Sequence, residues 1–219
     1  MAVLQTSINW VIQQFRARLN DPYVYGGVYS PDDIGQGGDC SGVVGWVLEA
    51  LVNTPENMSW NHNVSTESWP YDYDNDEPAE PGTIGPYGTV AVADLSDIPA
   101  DAALTIDIMH GGGGEDSHTN CVISLPSGVI VESNGPYGSC TNGTGAYPPE
   151  ADLWTDHWYL PGPIINDGAP PTNVYTVQPG DTLSLIADRF GISLDAVMAA
   201  NPSISNPNLI FPGEVINLP

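Results

Sequence analysis

The sequence contains no lysine, and its only strongly basic side chains are Arg16, Arg18 and Arg189. Against them stand 27 Asp and Glu residues, for a formal net charge of −24. So acidic a chain repels phosphate backbones, which excludes nucleic acid as a partner and disfavours adhesion to anionic membranes or wall polymers. What it binds must be recognised through hydrogen bonds and ring stacking; adaptation to high salt is an alternative origin of the acidity. Cysteine is also scarce. Cys40, Cys121 and Cys140 are too few and too widely spaced for a disulfide framework, and an odd count leaves a thiol over. No stretch approaches the roughly 20 apolar residues of a membrane-spanning helix. The N-terminal apolar stripe (Leu4, Ile8, Val11, Ile12, Phe15, Leu19) is interrupted by Asn9, Gln13, Gln14 and two arginines, so it does not read as a secretory signal. A monomer made inside a cell, with no membrane insertion, is expected.

The 219 residues allow an ordinary domain and a small one. Residues 161–173 are rich in Pro, Gly and Asn and read as a linker, leaving domains over 1–160 and 174–219. In the first, the spacing predicts an amphipathic helix over 3–19, a Pro/Gly loop, and a second helix over 40–52. Residues 53–100, dense in turn formers and carboxylates, read as a surface insertion. Alternation over 118–124 and 128–133 around Leu125-Pro126-Ser127 predicts a hairpin, and the aromatic cluster 153–161 a returning strand. The fold class is α+β.

Cys40 lies between Asp39 and Ser41-Gly42, just ahead of an almost wholly apolar run. Asp39 can cap a helix starting at Cys40, whose unpaired N–H groups and dipole favour an anion such as a thiolate. A buried, rigid helix behind a cysteine suits a nucleophile, although a lone cysteine is commonly just a small buried hydrophobe. A nucleophile needs a base and the base an orienting group. Of His62, His110, His118 and His157, His118 begins an apolar-alternating strand, and Glu132 sits out of place beside Val129-Ile130-Val131. The two share a face only if opposed residues have an even index sum, which requires an odd hairpin loop or a bulge. His110, beside four glycines, is a candidate for a mobile substrate loop; His157 suggests a supporting role and His62 none. Cys121 and Cys140 read as buried thiols. The acidic run 72–77 lacks the spacing of a calcium loop and reads as a solvated turn.

The stretches "DPYVYGG", "GGDCSGVV", "SHTNCVI" and "VIVESNG" resemble the NlpC-type branch of papain-like cysteine peptidases, which cut bacterial cell-wall peptides. With "STES", "HGGGG" and the terminal "WYL", residues 10–160 resemble more closely the N-terminal peptidase domain of mycobacteriophage endolysins. The resemblance implies a papain-like domain with its nucleophile at a helix N-terminus packed on an antiparallel sheet. It makes Cys40 the nucleophile, His118 the base and Glu132 the orienting acid, with Asn134 as Glu132's rival. Tyr23 would help hold the oxyanion, and Asp39, Ser41, His110 and Asn134 would complete the pocket. No metal or cofactor is implied.

Residues 174–219 read as strand, helix, helix, strand. "YTV.PGDTL..IA..FGI.LD...AANP" followed by "I.PG..INLP" is similar throughout to a LysM module, a βααβ unit binding N-acetylglucosamine-containing glycans. The family's groove carries over to Gly180, Asp181, Thr182 and Leu183, facing Asn208, Ile210, Phe211 and Pro212; Leu183 and Ile210 also read as core. Together the resemblances imply a bacteriophage endolysin: a peptidoglycan endopeptidase cutting stem-peptide amides, anchored by LysM, held in the host cytoplasm until lysis. The alternatives are an N-acetylmuramoyl-L-alanine amidase using the same triad, and a non-catalytic virion or wall-binding protein.

Overall fold

The computed structural model describes residues 2–112, 116–123, 128–165, 167, 174–177, 181–189, 192–202, 204, 206–207, 209–211 and 215–218. They form two compact units, Met1–Asp167 and Gly168–Pro219. The first unit contains β1 (Val3–Leu4), α1 (Gln5–Arg16), α2 (Cys40–Asn53), β2 (Tyr71–Asp72), β3 (Glu77–Pro78), β4 (Val90–Val92), β5 (Leu104–Met109), β6 (His118–Ile123), β7 (Val129–Asn134), β8 (Gly138–Cys140), β9 (Asp156–Leu160) and β10 (Ile164–Ile165). Six strands make one sheet in the order β4-β9-β5-β6-β7-β8, antiparallel at every pairing.

Period-2 alternation divides the sheet's two faces. Ile106, Ile108, Cys121, Ile123, Val131, Trp158 and Leu160 belong to the buried core that includes Val43, Val44, Trp46, Val47 and Leu48 of α2. The helix is apolar on nearly all sides because all its residues from Cys40 to Leu51 are buried. The opposite face carries Asp107, His118, Asn120, Glu132 and His157.

Three sequence expectations need correction. The first helix is shorter than 3–19, because Val3 and Leu4 pair in parallel with Ile164 and Ile165. That pairing draws part of the expected linker into the first unit, whose boundary falls at Asp167 rather than at 160. Residues 53–100 are no mere surface insertion: they supply edge strand β4, and Val64, Trp69 and Ala91 join the core. The six-residue strand β5, central to the sheet, was absent from the sequence reading.

The second unit pairs β11 (Val174–Thr176) antiparallel with β12 (Val215–Asn217) around α3 (Leu183–Arg189) and α4 (Leu194–Ala200). Its separate core comprises Val177, Leu183, Ile186, Ala187, Val197, Ile204, Ile216 and Leu218. Asn201 ties helix to strand: its Nδ2 donates to Asn217 O (2.6 Å) and its Oδ1 accepts from Asn217 N (2.7 Å).

Candidate active site

The N-terminus of α2 is tightly built. Asp39 Oδ1 accepts from Gly42 N (2.7 Å) and Oδ2 from Gly26 N (2.7 Å), so one carboxylate caps the helix and holds the preceding loop. Asp39 N donates to Gly27 O (3.0 Å), and Ser133 Oγ of β7 to Gly38 O (2.7 Å). These bonds bring Tyr23 and Cys40 together despite the long intervening segment. Glycine is required at position 42: a Cβ there would stand 2.1 Å from Gly27 O.

Cys40 is buried and reduced, and its thiol lies near enough to Tyr23 and to His118 to raise the pKa of both. His118 Nε2–H donates to Glu132 Oε1 (2.9 Å), which leaves Nδ1 for the cysteine. The parity condition is met, since β6 and β7 pair Cys121 with Val131 and Ile123 with Val129, giving an even index sum. The loop is therefore five residues, 124–128, rather than three; residues 124–127 lie outside the described residues.

Glu132 is fully buried and accepts from four donors. Oε1 takes His118 Nε2 and Asn134 Nδ2 (2.7 Å); Oε2 takes Asn120 Nδ2 (3.1 Å) and Tyr147 N (2.8 Å). Burial alone would raise its pKa, but the bonds from His118, Asn134 and Asn120 and the His118 charge hold it below the ordinary value. Burial pulls His118 down, and the bonds and charges of Cys40 and Glu132 more than reverse this, to about 9. Asn134 thus supports Glu132 instead of replacing it. Burial is also the main reason that Tyr23 holds its proton more tightly than a free tyrosine. The cleft over these groups, about 490 Å³, is lined by Tyr23, Met109, Ser117, His118, Asn134 and Tyr147 among others. Trp154 stacks parallel to the His118 ring at 5.8 Å.

Other expected pocket residues lie elsewhere. His110 is buried, stacked on Tyr71 at 4.5 Å and bonded to Tyr73 through Nδ1 (3.1 Å). Asp39 and Ser41 sit under the helix start, where Ser41 Oγ donates to Asp39 Oδ1 (3.1 Å). His62, given no role by the sequence, donates from Nε2 to both Asp39 oxygens (2.9 and 3.0 Å). His157 pairs through Nδ1 with Asp107 Oδ1 (2.7 Å). Cys121 and Cys140 are free thiols; burial raises Cys121 well above the ordinary range and Cys140 to about 12. The 72–77 run is a hairpin turn whose Asp72 carboxylate accepts from Asp74 N (3.0 Å) and Asn75 Nδ2 (2.8 Å).

The model of the Endolysin A family matches residues 1–167, well over half the chain. The chain belongs to the Endolysin A family. The LysM domain model matches residues 175–219. Similar proteins include the secreted LysM effector ECP6 of Passalora fulva, 47% identical over 45 residues (20% of each chain). The spore coat assembly protein ExsA of Bacillus cereus is 44% identical over 46 residues, 21% of this chain and 7% of its own. An endolysin of Bacillus phage B103 is 45% identical over 47 residues, 22% of this chain and 18% of its own. The chain thus spans a fifth or less of the length of these curated relatives.

In the LysM unit, Leu183 is fully buried in the core. Ile210 packs against that core while remaining half-buried. Thr182 Oγ1 accepts from Leu185 N (3.2 Å), and Asp181 Oδ2 from Tyr175 OH (2.6 Å). Phe211 is 60% exposed. Gly180, Asn208 and Pro212 lie outside the described residues. No helix among the described residues is long and apolar enough to cross a membrane.

Proposed function

We propose that this endolysin is a peptidoglycan hydrolase of the cysteine peptidase type, cutting an amide of the stem peptide. The observation that carries the reading is the grouping of Cys40, His118 and Glu132 beside a cleft, with His118 bonded to Glu132 and its charged form favoured by both neighbours, in a chain of the Endolysin A family. A thiol at the N-terminus of a buried helix packed on an antiparallel sheet supports a papain-like, NlpC-type domain.

Cys40 Sγ gives its proton to His118 and attacks the amide carbon. The oxyanion forms beside the Cys40 backbone N–H and the Tyr23 hydroxyl, which keeps its proton available for donation. The tetrahedral species collapses as His118 returns the proton to the departing amine, leaving a thioester. A water molecule, deprotonated by His118, attacks the thioester; the acid leaves and the thiol is restored. Glu132 holds the imidazole and stabilises its charged form.

LysM modules bind N-acetylglucosamine-containing glycans, and the second unit supplies the wall anchor, with Asp181, Thr182, Ile210 and exposed Phe211 as the described candidates for contact. Tethering raises local substrate concentration without new catalytic contacts.

The test is mass spectrometry of soluble products from purified peptidoglycan treated with wild type and Cys40→Ser. Fragments released by the wild type alone establish a Cys40-dependent hydrolase, and their new ends distinguish endopeptidase from amidase. If neither protein releases anything and both sediment with the wall, the hydrolase reading fails.

A further inference from the structure

Behind Glu132, the non-core face of the sheet carries a row of polar side chains on neighbouring strands. Asp107 of β5 is opposed on one side by His157 of β9 and on the other by Asn120 of β6. His157 Nδ1 bonds to Asp107 Oδ1 at 2.7 Å, and Asn120 Nδ2 to Glu132 Oε2 at 3.1 Å. Between these bonds is one gap. Asp107 Oδ2 and Asn120 Oδ1 are both buried, and neither has a hydrogen-bond partner. Opposed residues place their Cβ atoms about 4.5–5.5 Å apart, so the two orphans sit on directly neighbouring positions of one face of the sheet.

Two neighbouring buried acceptors without donors are costly, whereas one proton shared between them satisfies both. Flipping the Asn120 amide does not help. Its Nδ2 also donates to Tyr147 O (2.8 Å), so the flip would turn a carbonyl onto both Tyr147 O and the Glu132 carboxylate.

We infer that Asp107 is a neutral positioning carboxyl whose Oδ2–H donates to Asn120 Oδ1, closing a line of hydrogen bonds from His157 through Asn120 and Glu132 to His118. Asp107 Oδ1 then accepts from His157 Nδ1–H, and the His157 ring, partly exposed, borders a small cleft of about 200 Å³ with Asp94 and Glu150. The charged surroundings agree. Burial raises the Asp107 pKa; His157 opposes this, and Glu150 and Glu132 reinforce it. The proton fixes the Asn120 amide in the orientation that presents its N–H to Glu132, and Glu132 holds the base. The role of this line in turnover rests on the peptidase reading; the protonation state does not.

Two substrate-free measurements test it. Infrared difference spectra near neutral pH should show the carbonyl stretch of a protonated carboxyl in wild type that Asp107→Asn abolishes. The rate of Cys40 alkylation, followed by peptide mapping, should be within about twofold of wild type in Asp107→Asn, whose amide can still donate to Asn120 Oδ1. In Asp107→Leu, which cannot donate, it should fall about three- to tenfold, the equivalent of one neutral hydrogen bond. A purely structural Asp107 would lower the melting temperature of both variants without separating their alkylation rates. Absence of the band, as for an ionised Asp107 bridged to Asn120 by water, overturns the inference, and so do equal rates in the two variants. Asp107→Asn carries the spectroscopic test even if Asp107→Leu does not fold. A wild type that hydrolyses nothing defeats the peptidase reading and leaves these readouts standing.

Discussion

Replacing Glu132 by Gln removes one charge and keeps the shape. In this site, shape is not enough. Each carboxylate oxygen accepts two N–H donors, so either orientation of the amide turns its NH₂ against two of them. Losing two buried bonds to a charged acceptor costs on the order of 3 kcal/mol or more. The effect on the base can be read separately. His118 is raised from 6.5 to about 9, so the site favours the imidazolium well beyond a free histidine. Burial opposes that rise, and Cys40 and Glu132 together produce it. The His118 titration, followed by NMR, should move down in Glu132→Gln. The rate of amide hydrolysis should fall about tenfold or more, with the high-pH limb of its profile displaced the same way. A folded Glu132→Gln whose His118 titrates as in wild type, and which cleaves at the wild-type rate, would refute the assignment of Glu132 as the group that charges the base.

Four further outcomes are expected. Gly42→Ala should lower the melting temperature sharply and cut Cys40 reactivity, because its Cβ meets Gly27 O at 2.1 Å and His62 Cδ2 at 2.8 Å; an unchanged thermal scan contradicts this close approach. A histidine whose folded pKa is raised stabilises fully below its unfolded value and loses that contribution as pH climbs through the folded one. The stability difference between wild type and His118→Gln should therefore be largest below about 6.5 and shrink towards about 9; a difference that grows over that interval is the wrong sign. A chain ending at Asp167 should keep Cys40-dependent cleavage of soluble stem peptides but stop sedimenting with the wall, and undiminished sedimentation would remove the anchor role from LysM. If the acidity is a salt adaptation, melting temperature should rise steeply as salt screens the surface; a flat response rejects that origin.

Local features of this chain were readable in its sequence, and distant ones were not. Asp39 as a cap needed only the helix start beside it, and the relation of His118 to Glu132 followed from the parity of one hairpin. The LysM unit was readable because its strand, helix, helix and strand follow each other within one short segment. His62 and Asp107 were hidden because their partners, Asp39 and His157, lie 23 and 50 residues away. Strand β5 escaped because Asp107 breaks its apolar run, and an acid in a buried strand makes sense only once His157 is known to oppose it. The turn-rich composition of 53–100 likewise concealed that Trp69 is core, held by its indole N–H to Thr89 Oγ1 (3.1 Å).

The parallel pairing of β1 with β10 bears on how this chain can be rearranged. Val3 lies beside Ile164 and Leu4 beside Ile165, and Thr6 N reaches Asp167 Oδ1 at 3.2 Å. The first unit therefore begins and ends at one small patch, its two termini a few residues, or about 10–15 Å, apart. A binding module grafted ahead of Val3 would hang from nearly the same point as the one that follows Asp167. Domain order in chimaeras built on this scaffold is thus geometrically interchangeable, and a circular permutant of the first unit needs only a short bridge to close its old ends.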